Sequence, residues 1–153
     1  MAEVTATHEF KTVRGDGAAD GLFLPMKYRF EKHYTREEAQ ALLPQVRQWL
    51  ADLNRLRADL ERVEKRLGSL NEQGHDTGGE TVNLWIRSLA DMQAVLMEFQ
   101  RREIFIKDPD RGLLDFPAVI GGKEVFLCWE SDEDEVEFWH ELDSGYSCRE
   151  KLG

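Results

Sequence analysis

The side chains best equipped for chemistry in this sequence lie in its last third. His140 shares an alternating row with Val136, Phe138 and Leu142, and Asp115 shares one with Leu113, Pro117 and Val119. An imidazole or carboxylate in an apolar row is costly to bury unless it meets a polar partner. The two can satisfy each other as a structural pair, or both can face a ligand. The second version makes His140, with Asp115 and with Glu137, Glu141 or Asp143, a divalent-metal or acid–base site. One histidine and two carboxylates are an adequate ligand set for zinc or a harder transition metal. The run His140-Glu141-Leu142-Asp143 does not have a zinc-ligand spacing, and adjacent strand residues point to opposite faces. The structural pair is therefore the favoured reading. Cys128 offers a thiol near His140, but a cysteine in a central strand reads as core. Trp129 and Trp139 can stack on a ligand and read first as core or half-buried aromatics.

Three strand-like runs must position these groups, at 113–119, 124–130 and 136–142. Gly121-Gly122 predicts a hairpin between the first two, and Ser131-Asp132-Glu133-Asp134 a polar turn before the third. Val125, Leu127 and Trp129 lie on one side of the middle run and Phe126 and Cys128 on the other, so that strand is predicted to be central.

The strands follow a helical stretch. Thr35-Arg36-Glu37-Glu38 has the form of a capping box, and Pro44 predicts a kink or restart in the helix it opens. The apolar positions Leu42, Val46, Trp49, Leu53, Leu56, Leu60, Val63, Leu67 and Leu70 alternate spacings of four and three, a coiled-coil seam. After Gly78-Gly79 a second series runs Val82, Trp85, Leu89, Met92, Leu96 and Phe99, continuing through Glu103 to Ile106. The two series mirror each other: Leu53 with Phe99, Leu60 with Met92 and Leu67 with Trp85 keep a constant sum of residue numbers, as antiparallel helices require. The predicted architecture is α+β. A long antiparallel, coiled-coil-like helical hairpin at about 36–106 packs at its base on a small antiparallel β-sheet at about 107–153. Residues 26–34 are read as a short strand entering the domain, and residues 1–25 as a flexible tail. Leu43, Leu50, Val95, Ile104 and Phe105 widen the apolar stripe at the hairpin base, whereas the tip keeps only the seam. The tip must stand nearly alone or meet a second copy, so a homodimer through the hairpin and a monomer with a protruding arm are equal expectations.

Composition bounds the function. The chain has 153 residues, enough for one domain with a core, and a formal net charge of −10. Residues 107–153 hold five basic and thirteen acidic side chains, and eight of those acids fall between positions 130 and 143. That segment reads as a solvated acidic turn, and the whole chain as a poor partner for nucleic acid or an anionic membrane. The two cysteines, Cys128 and Cys148, lack metal-type spacing and read as reduced thiols. No apolar run approaches 18 residues and the first 20 contain no signal-like apolar region, so a cytoplasmic location is expected.

Several runs carry a resemblance: Tyr34-Thr35-Arg36-Glu37-Glu38-Ala39, Leu42-Leu43-Pro44-Gln45-Val46-Arg47, Gly112-Leu113-Leu114-Asp115-Phe116-Pro117, Leu127-Cys128-Trp129, and Trp139-His140-Glu141-Leu142-Asp143-Ser144-Gly145-Tyr146. Together, over about residues 28–152, the chain resembles a family of small bacterial proteins known as domain of unknown function 2203, some of them labelled division initiation protein. No residue here supports that label. The resemblance implies a motif of Asp115, Cys128, Trp129, Trp139, His140, Gly145 and Arg149, and no activity; a site would lie where sheet meets hairpin base. The function expected is a non-enzymatic interaction or oligomerisation module. The alternative is a divalent-metal-binding protein or metal-dependent enzyme using His140 with nearby carboxylates, its candidate site being Asp115, Trp139, His140, Glu141, Asp143 and Arg149.

Overall fold

Thr35 caps helix α1 (Arg36–Glu72): its hydroxyl accepts from the Glu38 amide, while the Glu38 carboxylate accepts from the Thr35 amide. The computed structural model describes residues 27–74 and 79–153; the expected flexible tail and part of the hairpin loop lie outside them. Helix α1 runs through Pro44 as one element, so the restart expected there does not occur. Helix α2 (Glu80–Gln100) packs back along it. Trp49 meets Phe99 at 5.4 Å between ring centroids near the base, and the Trp85 indole donates to Glu64 nearer the tip, which makes the pair antiparallel. These contacts sit one turn from the predicted pairings of Phe99 with Leu53 and Trp85 with Leu67. Burial thins along the arm: α1 buries Leu43, Val46, Leu50, Leu53, Leu56 and Val63, but α2 buries only Ser88 and Phe99.

Helix α2 ends at Gln100, six residues before the predicted limit. The Ile104 amide bonds back to the Phe99 carbonyl (3.0 Å) and the Glu103 amide to Gln100 (3.1 Å), with Glu103 left-handed at φ 53°. This is a Schellman turn without the usual glycine. The freed residues form strand β1 (Phe105–Asp108), which the sequence pattern had assigned to helix.

Strands β2 (Leu113–Ile120), β3 (Lys123–Trp129) and β4 (Phe138–Glu141) answer to the three predicted runs, with β4 shorter. A 3₁₀ turn (Tyr146–Cys148) leads to β5 (Glu150–Lys151), and the five strands form an antiparallel meander in chain order. Gly121 and Gly122, both at positive φ, make the two-residue β2–β3 turn. No strand forms at 27–34, although the Tyr34 amide donates to the Pro117 carbonyl at 2.7 Å.

The sheet has two differently covered faces. Leu114, Phe116, Ala118, Val125, Leu127 and Trp129 join Tyr34, Ala39, Leu43, Val46, Leu50 and Phe99 in the main core. Val136, expected in the row of His140, lies before β4 begins and packs in this core instead. On the other face Phe30 covers Phe105 and Phe126, each at 5.3 Å. The acidic turn before β4 is gripped as well as solvated. Arg47 donates to the Ser131 and Glu133 carbonyls, both at 2.7 Å, and Arg36 to the Val136 carbonyl at 2.9 Å.

Gly112 meets this turn closely. It holds φ 66°, and a Cβ there would lie 2.7 Å from the Ser131 Cβ and 3.3 Å from Leu50. Gly112→Ala should lower the unfolding free energy by about 1–3 kcal/mol in urea titration. Gly68→Ala, in open space on α1, should raise it by about 0.5–1 kcal/mol.

Candidate functional site

The two-residue turn fixes the β2–β3 register, and that register sets Asp115 opposite Cys128. Directly opposed residues in an antiparallel pair share a face. In the next pair His140 faces Phe126, two positions from Cys128, so its imidazole projects on the same side. Three adjacent strands thus each deliver one group to one patch, and all three are buried, His140 at 4% exposure and Asp115 at 2%. His140 Nε2 lies 3.1 Å from Asp115 Oδ1, and Nδ1 lies 2.8 Å from the Glu141 carbonyl. A carbonyl oxygen can only accept, so Nδ1 carries the hydrogen. With the Cys128 sulfur included, the three donor atoms lie within 4.8 Å of one another, the one such grouping among the described residues.

Burial pushes the Cys128 thiol up to about 12, the Asp115 carboxylate adds to that, and the Arg149 guanidinium partly offsets it. Lys107, half-exposed on β1, brings Nζ within 3.6 Å of Asp115 Oδ2 and hangs over the rings of Phe105 and Phe126. A cavity of about 150 Å³ opens over the cluster, bounded by Lys107, Leu113, Ser144, Gly145 and Tyr146. Arg149 buttresses the segment that walls it. Its guanidinium stacks between Phe138 and Tyr146, 4.2 Å from each, donates to the Tyr146 hydroxyl at 2.9 Å and pairs with Glu133 at 2.7 Å.

Of the residues singled out by sequence, Asp115 and His140 come together and Arg149 borders their cavity. Trp139 lies on the opposite face, against the main core. The Glu141 side chain reaches Lys123 at 2.5 Å, and only its backbone carbonyl serves His140. Asp143 is exposed, and Glu137 pairs with Lys151 at 3.2 Å. The site is not at the junction of sheet and hairpin: it occupies the sheet face turned away from the main core, because β2 and β3 send Asp115 and Cys128 to that side. Cys128, read from the sequence as a core thiol, joins the cluster, and Lys107, which the sequence reading did not single out, borders it. Counting outward from Gly121-Gly122 could have found Cys128 opposite Asp115. Nothing marks Lys107, which lies on the strand hidden by the Schellman turn.

A family model described as uncharacterized conserved protein (DUF2203) matches residues 32–152, spanning the helices, the sheet and all three cluster residues. No curated protein and no solved structure matches the chain. No described helix is long and apolar enough to cross a membrane.

The cover over this face is fastened by Glu124. Its carboxylate accepts from the amides of Arg29 (2.8 Å) and Phe30 (2.9 Å) and contacts His33 Nε2 at 2.7 Å. Desolvation would push this carboxyl up, yet those three donors together hold it below the usual carboxylate range. A depressed carboxyl contributes stability above its unfolded value, and that contribution is lost as the pH falls through the folded one. Glu124→Gln should therefore lower the unfolding free energy at neutral pH by about 1–2 kcal/mol. The gap from wild type should narrow as the pH drops below 4.5, measured by urea titration across the acid range.

Proposed function

We propose that this chain, which belongs to the family of uncharacterized conserved proteins designated DUF2203, is a metal-binding protein holding one divalent transition ion, zinc by preference, on Asp115, Cys128 and His140. The supporting observation is the convergence of three electron-pair donors within 4.8 Å in a buried patch. A proton can bridge two of them, as in an imidazolium–carboxylate pair, and a metal ion can bridge all three. The histidine is oriented as a ligand would be: metal-bound imidazoles characteristically donate the other ring N–H to a carbonyl or carboxylate, and His140 Nδ1 meets the Glu141 carbonyl. Thiolate and imidazole favour zinc over calcium or magnesium.

Zinc–ligand distances of about 2.0–2.3 Å put donor atoms roughly 3.3–3.8 Å apart, so side-chain adjustments of about 1 Å complete the set. The high thiol pKa favours a protonated Cys128 without metal, and a bound cation would displace that proton. Three protein ligands leave a coordination position for water or substrate, the pattern of reactive rather than purely structural zinc.

Metal analysis of the purified chain should find about one zinc per protein, reduced by Cys128→Ser and by His140→Gln. Chelation should lower the thermal midpoint, since an ion present at 100–1,000 times its Kd stabilises the native state by about 2.7–4.1 kcal/mol. An unchanged midpoint with chelator, alongside a destabilised His140→Ala, would leave a structural His140–Asp115 pair and overturn the metal reading.

A second reading, association through the hairpin arm, is favoured by Leu84 and Ile86, which stand 50% and 52% exposed where α2 buries little. Sedimentation should then show a dimer that Leu84→Glu with Ile86→Glu dissociates. A wild type still monomeric at tens of micromolar, roughly the range of weak dimers, would refute it.

A further inference from the structure

We propose that the metal centre takes a small monoanionic ligand, a carboxylate of about acetate size, in the cavity between Lys107 and Tyr146. The inference rests on the metal reading above and adds what occupies the remaining coordination position. Asp115, Cys128 and His140 all project from one face of the sheet, so an ion held by them turns its free side away from the strands. The cavity lies on that side, against the same three residues, with Lys107, Ser144, Gly145 and Tyr146 as its walls. Its volume of about 150 Å³ corresponds to about five water molecules at ~30 Å³ each, which suits a ligand of a few heavy atoms.

Charge selects the ligand's sign. A divalent ion is neutralised by the Asp115 carboxylate and the Cys128 thiolate, with His140 neutral, and Lys107 then leaves the site with one net positive charge. Lys107 can supply that charge to a guest. Its ammonium sits 3.6 Å from Asp115 Oδ2 and over the rings of Phe105 and Phe126, its side chain is 47% exposed, and it lines the cavity. Once Asp115 coordinates an ion, its hold on Lys107 weakens and the ammonium gains a vacancy for a second acceptor. The neighbouring guanidiniums are already engaged, Arg111 with Glu130 at 2.6 Å and Arg149 with Glu133 at 2.7 Å. With Asp115 engaged by the ion, the charge of Lys107 matches a monoanion. Phosphate carries more negative charge than the single ammonium of Lys107 balances at this site.

Cobalt(II) in place of zinc tests both levels at once. A near-ultraviolet thiolate-to-cobalt band reports that Cys128 holds the ion, and the visible bands report the ion's remaining coordination. At constant ionic strength, sodium acetate should change the visible bands saturably, and inorganic phosphate at equal concentration should do so more weakly. Lys107→Gln should keep the thiolate band and raise the half-saturating acetate concentration about tenfold or more, the effect of losing one charge-assisted hydrogen bond. A thiolate band without an acetate response, or a Lys107→Gln response equal to wild type, overturns this inference and leaves the metal centre standing. Tighter phosphate than acetate binding overturns the choice of carboxylate. Absence of the thiolate band with cobalt(II) present overturns the metal reading, and this inference with it.

Discussion

Strand β3 is apolar on both sides, and among the described residues a single helical hairpin is there to cover it. Val125, Leu127 and Trp129 find α1, but Phe126 and Cys128 face the other way and must be shielded by something else. The second cover is assembled from chain on either side of the helices and sheet. Residues 27–34 bring Phe30 onto Phe105 and Phe126, and the segment after β4 lays Arg149 on Phe138 with Tyr146 on its far side. These segments are irregular and hold by side-chain contacts such as Glu124 to the Arg29 and Phe30 amides, so they shield the face without filling it. The cavity beside His140 opens under the second of them, walled by Ser144, Gly145 and Tyr146. A helix laid on this face would have covered it with a continuous apolar stripe.

The same constraint gives the acidic segment its structural role. A hairpin whose base alone packs on the sheet needs a fixed docking angle, and apolar contact is non-directional. The turn between β3 and β4 provides direction: its carbonyls accept from Arg36 and Arg47 of α1, and the Gln40 side-chain oxygen accepts from the Val136 amide. Its carboxylates serve the other side, Glu130 holding Arg111 and Glu133 holding Arg149. Arg149 in turn props Tyr146. One turn therefore ties the helix base to the wall of the cavity, and the excess negative charge of the last third surrounds an ordered element.

Legibility in the sequence followed how local the determining physics is. The capping box at Thr35, the glycine pair at 121 and 122, and the periodicities of three to four and of two are short-range, and they gave the helices, the central strands and their antiparallel order. The end of α2 was not legible, because Glu103 takes a left-handed conformation that glutamate does not advertise. That one residue concealed β1, and with it Lys107. The pairing of Asp115 with His140 was legible from face parity, whereas the location of the pair was not: parity says which residues share a face and is silent about which face meets the helices. Cys128 is the instructive case. Its residue type and strand position suited a core thiol equally well, and only its register partner distinguishes it.

Folding alone does not explain the cluster. A strand face that needed only shielding would be served by leucine or valine at 115, 128 and 140, each removing apolar surface from water at about 25 cal/mol per Å² with nothing left to satisfy. Asp115 and His140 instead bring a carboxylate and an imidazole out of water, where even a well-made pair is often no better than packed hydrocarbon. The main core on the other face of the same strands shows the apolar solution: Leu114 and Phe116 beside Val125, Leu127 and Trp129. The second face of the same three central strands instead sets Asp115, Cys128 and His140 among Phe105, Phe126 and Phe138. What sets the polar face apart is its three donor atoms and the cavity above them. A single proton shared by His140 and Asp115 would account for two of those groups and leave Cys128 incidental; the ion proposed above would engage all three and turn its open side toward the cavity that Lys107 lines.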